Sequence, residues 1–282
     1  MKKTLLILVL IIFCILPSNA QMTANKVISE ILKQTSVKTI PGTVDVIKEG
    51  DPETQVKGIV TTMFATMEVL KKAVELNCNM IVVHEPLYYN HADNTESFRN
   101  DPVFLEKQKY IRDNKLVIWR FHDYIHSMEP DGILQGMVVK LGWKEYMING
   151  DYSSFKLPET TLGGLLESLK KTFPKSTFYV IGNNDLKVKK VRFAPGAPGS
   201  SMHISFLEDN SVDVVIAGEA QQWETYEYTR DAVSQGRQKA VIFLGHIPSE
   251  EAGMEFCASW LKGFINGTPV HFIESGPSYR AF

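Results

Sequence analysis

The run Met80-Ile81-Val82-Val83 ends at His84-Glu85-Pro86. Three of its four residues are β-branched and none is polar, so it does not alternate as a half-exposed strand would. It predicts a short strand buried on both faces. Upstream, residues 58–63 read as another strand and residues 67–76 as a helix, and strand, helix, strand in that order is a βαβ-like unit. A strand buried on both faces needs helices on both sides, which places the chain in the α/β class.

Working outward, Thr23 is placed to cap a helix running to about Thr35, with Val27, Ile28, Ile31 and Leu32 on its apolar side. Residues 89–102 are polar and close on Asn100-Asp101-Pro102, a loop before a helix through Tyr110 and a strand Leu116-Val117-Ile118-Trp119. The middle of the chain predicts a helix over 162–171 and strands near 178–181, 188–193 and 212–217, with a glycine turn at Pro195-Gly196-Ala197-Pro198-Gly199. A strand Ala240-Val241-Ile242-Phe243-Leu244 then reaches Gly245-His246, followed by a helix to about Lys262 and a last strand over 270–273. The expected architecture has strands alternating with helices in two intertwined lobes. Residues 21–282 form one unit, with about 130–235 making much of the second lobe.

With 44% hydrophobic and 22% charged residues in 282, the composition is that of a folded globular protein rather than a disordered or fibrous one. Thirty basic against 32 acidic residues leave a formal charge of -2, without the basic field that holds a polyphosphate backbone, so nucleic acid is not an expected partner. Lys2 and Lys3 precede an apolar run over residues 5–16, and Pro17-Ser18-Asn19-Ala20 supplies small residues before Gln21. This is the pattern of a secretory signal peptide over residues 1–20. The run is shorter than the ~20 residues that cross a bilayer, so the mature chain is expected in the periplasm or outside the cell, with no stable membrane insertion. Cys78 and Cys257 then remain. They read as two separately buried thiols, because a chain this long builds its core without a staple.

Three predicted strands finish within a few residues of a histidine: Val83 before His84, Trp119 before His122 and His126, Leu244 before His246. In open α/β sheets the carboxyl ends of the strands share one edge, where ligands gather. If the three strands are parallel neighbours, four of the seven histidines converge there, accompanied by Glu85, Asp123 and Glu250. Mixed imidazole and carboxylate donors suit Zn, Fe, Mn or Ni, whereas Ca and Mg want mostly oxygen. His122 and His126, four apart, share a side in a helix and also in an extended chain, as do His246 and Glu250. The plainer reading of each is a hydrogen-bonded core or surface histidine, and of Glu250 a complement to a helix dipole. His91 in the polar loop, and His203 and His271 in or beside strands, have no paired donor and read as surface or core histidines.

Several stretches together resemble the NGG-interacting factor family, whose bacterial members are described as GTP cyclohydrolase I type-two homologues. They are Glu49-Gly50-Asp51-Pro52-Glu53 with Val56-Lys57-Gly58-Ile59-Val60, then Ile81-Val82-Val83-His84-Glu85-Pro86-Leu87, Pro195-Gly196-Ala197-Pro198-Gly199-Ser200-Ser201 and Asp213-Val214-Val215-Ile216-Ala217-Gly218-Glu219. The most specific is Gly245-His246-Ile247-Pro248-Ser249-Glu250-Glu251-Ala252-Gly253. The resemblance runs over nearly the whole mature chain. It implies a two-metal centre held by His84, Glu85, His126, His246 and Glu250, in ring-shaped homo-oligomers. Two positions depart from the family pattern. Adjacent histidines are usual where this chain has His84-Glu85, and an aspartate is usual where it has His126. A carboxylate and an imidazole have exchanged places, and the tally stays at three imidazoles and two carboxylates.

The function expected from these readings is an exported metal-dependent hydrolase acting on a small molecule, heterocyclic if the cyclohydrolase association carries over. Two divalent ions sharing Glu250 would make water acidic enough to attack, and His122 is the candidate for proton transfer or for orienting a ligand. Gln221, Trp223 and Glu224, with Tyr226, are candidates for stacking on and hydrogen-bonding the substrate. The rival class is a non-catalytic metal-binding or scaffold protein.

Overall fold

The computed structural model describes residues 21–280, so the signal-peptide reading of residues 1–20 lies outside the described residues. Thr23 does cap the first helix, α1 (Ala24–Thr35), its hydroxyl accepting from the Lys26 amide, and Val27, Ile28 and Ile31 are buried. There follow β1 (Ile47–Glu49), β2 (Ile59–Thr62), α2 (Met67–Glu75), β3 (Met80–Val83), α3 (Pro102–Asp113) and β4 (Val117–Arg120). Every residue of β2, β3 and β4 is buried, the polar Thr61, Thr62 and Arg120 included. These three strands are parallel neighbours, with Val83 opposite both Thr62 and Arg120. β1 closes one edge antiparallel to β4.

The chain then makes α4 (Asp123–His126) and α5 (Gly132–Leu141) and enters a second lobe. There β5 (Met147–Ile148), β6 (Asp151–Thr161), α6 (Leu162–Thr172), β7 (Tyr179–Ile181), β8 (Lys187–Ala194), α7 (Ser200–Glu208), β9 (Val214–Ala217), α8 (Glu227–Ser234) and β10 (Ala240–Phe243) build a sheet of order β5-β6-β8-β9-β10-β7. Its centre, β8 to β10, is parallel, and β5, β6 and β7 are antiparallel. Finally α9 (His246–Leu261) leads back to β11 (Val270–Phe272), which pairs with β2 and completes the first sheet as β1-β4-β3-β2-β11. The lobes are thus intertwined, since the first sheet takes strands from both ends of the described chain.

Close helix packing locks the lobes together. A Cβ on Gly136 of α5 would stand 2.2 Å from the Ala252 carbonyl oxygen, and one on Gly253 of α9 would stand 2.5 Å from Ile133 Cα. Only glycine on both helices lets them approach this far. Thr61 on β2 donates to the Met254 carbonyl (2.7 Å), pinning α9 to the first sheet. The ends of α4 and α9 therefore face each other at a fixed separation.

Two sequence readings change. The conditional picture of three neighbouring strands holds for β3 and β4, but β10 belongs to the other sheet, so any convergence of its histidine with the others spans the lobes. His203 lies in α7 rather than in or beside a strand; it is buried, with Nδ1 3.1 Å from the Thr225 hydroxyl. Cys78 and Cys257 are separate, buried free thiols. Among the described residues no helix is long and apolar enough to cross a membrane.

Candidate metal centre

His84 and Glu85 are the first two residues after β3, and their amides still donate to the carbonyls of Thr62 and Met63 (3.1 and 3.0 Å). The sheet ladder therefore fixes their backbone. After β4 the chain turns sharply, and the amides of His122, Asp123 and Tyr124 converge on the Asp45 carboxylate at 2.8, 2.9 and 2.9 Å. A helix start leaves such amides without partners. Here the local cap position, His122, makes no side-chain cap bond, and Asp45 takes over from a distant part of the chain. From the other lobe α9 brings His246 and Glu250, one turn apart. The turn at Gly196 (φ +64°) wraps Glu250 so closely that a Cβ there would sit 2.3 Å from Glu250 Oε1. The Gly196 amide donates to Ser249 Oγ (2.9 Å), which donates to the His246 carbonyl (2.7 Å).

The five residues expected to hold metal come together, with His122 beside them. His246 Nε2 lies 3.0 Å from Glu85 Oε1 and 3.2 Å from Glu250 Oε2. His84 Nε2 is 3.6 Å from Glu250 Oε2, and His126 Nε2 is 3.9 Å from Glu250 Oε1. Two donors each about 2.1 Å from one ion at a tetrahedral angle stand roughly 3.4 Å apart, the spacing found here. The donors form two overlapping groups, His84, His122 and His126 in one and His84, Glu85 and Glu250 in the other, with ligating atoms inside each within 4.8 Å of one another. Glu250 turns one oxygen toward His84 and His246 and the other toward His126.

Each imidazole is oriented from behind. His84 Nδ1 faces the Phe121 carbonyl (3.1 Å), His122 Nδ1 faces Asp123 (2.9 Å), His126 Nδ1 faces Asp131 (2.9 Å) and His246 Nδ1 faces Glu219 (3.0 Å). An acceptor at Nδ1 keeps the proton there and leaves the Nε2 lone pair for a cation. Two facing atoms are buried without a well-formed hydrogen bond: His84 Nε2 has none, and Glu250 Oε2 has only His246 Nε2 beside it, at 3.2 Å but poorly aligned. Orphaned buried polar atoms are costly; a divalent cation between them removes the cost, and the donor set fits one.

The electrostatics are those of a site short of positive charge. Burial alone would lower His246, but the carboxylates of Glu219, Glu250 and Glu85 outweigh it and lift it to about 12. Burial likewise opposes ionisation of Glu85, yet His246 and His84 bring it down to about 2; the same imidazoles hold Glu250 below the usual carboxylate range. Burial opposes the charge on His126, but Asp131, together with Glu250 and Glu85, raises it. His122 goes the other way, to about 4, through burial and the neighbouring His84, against the pull of Asp123. His122 is therefore neutral at pH 7.

His246 also opens on a cavity of about 890 Å³ whose walls include Phe64, Tyr179, Glu219, Gln222 and Tyr226. Gln221, Trp223 and Glu224 belong to the same turn but do not line it: Trp223 is 72% exposed, and Glu224 accepts from the Ser200 hydroxyl. Tyr226 stacks on Phe243 with ring centroids 4.0 Å apart. His91, in its loop, packs edge-on against His122 at 5.8 Å. Asp45, Asp131, Glu219 and the buried Arg120 were not legible as site residues. Only the five-residue spacing of Asp131 from His126, and Glu219 at the end of a quoted motif, left any trace.

The family model for Duf34/NIF3 (NGG1p interacting factor 3) matches residues 44–277. The chain belongs to the DUF34/NIF3 family. A Clostridium acetobutylicum relative named GTP cyclohydrolase 1 type 2 homolog is 25% identical over 239 residues, 78% of this chain and 84% of that one. Among solved structures, Staphylococcus aureus protein SA1388 superposes with a TM-score of 0.72 at 15% identity, covering 93% of this chain and 100% of that one. A Bacillus cereus protein related to NIF3 gives 0.71 at 14% identity, covering 94% and 99%. These structures share the fold.

Proposed function

We propose that the protein is an exported, metal-dependent hydrolase of a small molecule, with two divalent ions drawn from Zn, Fe, Mn or Ni held by His84, Glu85, His126, His246 and Glu250. The observation that carries this reading is the set of four imidazoles, each held at Nδ1 from outside with Nε2 turned inward, around two buried atoms that lack a well-formed hydrogen bond. When bound, such ions supply the Lewis acidity that polarises a substrate oxygen and lets water ionise near neutral pH. His122, neutral and held at Nδ1 by Asp123, accepts a proton at Nε2. Glu219 and Asp131 keep His246 and His126 from turning away.

The substrate enters the cavity beside His246, where Phe64, Tyr179 and Tyr226 give flat apolar walls; the name of the Clostridium relative supports a heterocycle. Gln221, Trp223 and Glu224, on the exposed turn next to the rim, meet the distal part of the substrate. The protein works in the periplasm or outside the cell, as a homo-oligomer.

The test is elemental analysis of the purified mature protein. A metal-reconstituted sample is then assayed against phosphate esters, amides and heterocycles. Metal with turnover supports the reading. Stoichiometric metal without turnover of any class favours a non-catalytic metal-binding or scaffold ring, and a protein that holds no metal ends the proposal.

A further inference from the structure

Arg120, the last residue of β4, is completely buried, and its guanidinium is spread over four acceptors. Nε donates to the His84 carbonyl (3.1 Å) and Nη1 to the His91 carbonyl (2.6 Å), while Nη2 lies 3.5 Å from Glu85 Oε2 and Nη1 lies 3.8 Å from Asp93 Oδ2. Asp93 is itself matched by Lys48 at 3.1 Å. The remaining positive charge of Arg120 is therefore set against Glu85. The two oxygens of that carboxylate are divided: Oε2 faces the guanidinium, and Oε1 faces His246 Nε2 at 3.0 Å.

We propose that Arg120 is a positioning residue that makes Glu85 a one-oxygen metal ligand, by holding Oε2 away from the ions and offsetting part of the carboxylate charge. This rests on the reading of the cluster as a metal centre. A carboxylate free on both oxygens can chelate an ion with both. A planar fork held by two backbone carbonyls prevents this, because it cannot move without breaking its bonds to the His84 and His91 carbonyls. Glu85 thus offers one donor atom in a fixed direction, with its negative charge partly offset.

The experiment titrates metal-stripped mature protein with Co(II), reading the visible absorption bands and the stoichiometry. These bands weaken as coordination number rises. In Arg120→Gln, Oε2 is released, and the bands should weaken while Co(II) affinity changes by about 10-fold or more. Arg120→Lys keeps the buried charge but reaches fewer acceptors, and should shift the bands the same way by less. It decides the matter if Arg120→Gln does not fold. In a Glu85→Gln background, adding Arg120→Gln should leave the bands where Glu85→Gln put them, because the carboxylate through which Arg120 acts is gone. Unchanged bands in folded Arg120 variants overturn the proposal, and so does an equal shift in the Glu85→Gln background, which would mean that Arg120 acts through the backbone alone. Failure of the wild-type protein to take up Co(II) is a different result and removes the metal reading itself.

Discussion

Replacing Asp45 by asparagine tests whether a residue outside the donor set builds the site. The carboxylate takes the His122 and Asp123 amides on Oδ1 and the Tyr124 amide on Oδ2. Asparagine keeps the shape but offers one carbonyl oxygen, and its NH₂ group faces the third amide. Leaving one buried N–H unmet costs about 1–3 kcal/mol, and losing charge assistance on the other two bonds costs about 1 kcal/mol more. Relief from burying a charge returns part of this, since burial is what raises the Asp45 pKa. The net loss is about 2–3 kcal/mol, at or above the upper end for loss of a helix cap. For a chain of this size that lowers Tm by about 5–10 °C. Because His122 is the cap position of α4 and His126 its last residue, loosening its first turn should also weaken metal binding by about 10-fold or more. Thermal unfolding and metal titration of Asp45→Asn read both effects. A Tm within about 1 °C of wild type, or a full Tm loss with unchanged metal affinity, would refute the idea that this cap positions the site.

The donor tally of the proposed centre gives a second test: Glu85→His leaves four imidazoles and one carboxylate, and His126→Asp leaves two and three. The double variant, which restores three and two, should bind more metal at fixed free metal than either single one; singles that bind as well as the double would show that the two residues do not share a centre. The pH dependence of metal-free stability is a third. The His246 contribution is complete below about 6.5 and is lost as pH rises toward about 12, that of Glu85 is complete above about 4.5 and is lost toward about 2, and keeping His122 neutral costs stability as pH falls from about 6.5 to about 4. Denaturation midpoints should therefore peak between about pH 6 and 7 and fall toward pH 10, and bound metal, by displacing the proton from His246, should flatten the alkaline side. A metal-free profile flat from neutral to alkaline pH would contradict the charge-starved cluster. Lastly, cleavage of the expected signal peptide should leave Gln21 as the N-terminus, which mass spectrometry checks; a retained Met1 would be evidence against it.

The strands that are buried along their whole length, β2, β3, β4, β9 and β10, were legible in the sequence, and so were β7, β8 and β11, which are exposed or buried only in part but rich in β-branched and aromatic residues. β6, the longest strand, was not recognised. Of its eleven residues only Phe155 and Leu157 are buried, so most of its side chains are free to be polar. His203 was misplaced for a related reason: α7 has no strong polar face, and its pattern does not distinguish a helix from a strand.

The sequence by itself determined which side chains can serve as donors. Buried strands must stop where polar residues begin, and here His84, Glu85, His122, His126 and His246 stand just beyond such stops, with the i, i+4 spacing adding Glu250 to His246. What only the tertiary structure decided is that donors from two different sheets meet, and what holds each one in place. The approach of α5 to α9 through Gly136 and Gly253, the cap lent by Asp45, and the supports Asp131, Glu219 and Arg120 all depend on contacts across the fold. Hydrogen bonds and helix packing act over a few ångströms in space and are indifferent to the number of residues between the partners, so such contacts leave no local period in the chain to be read.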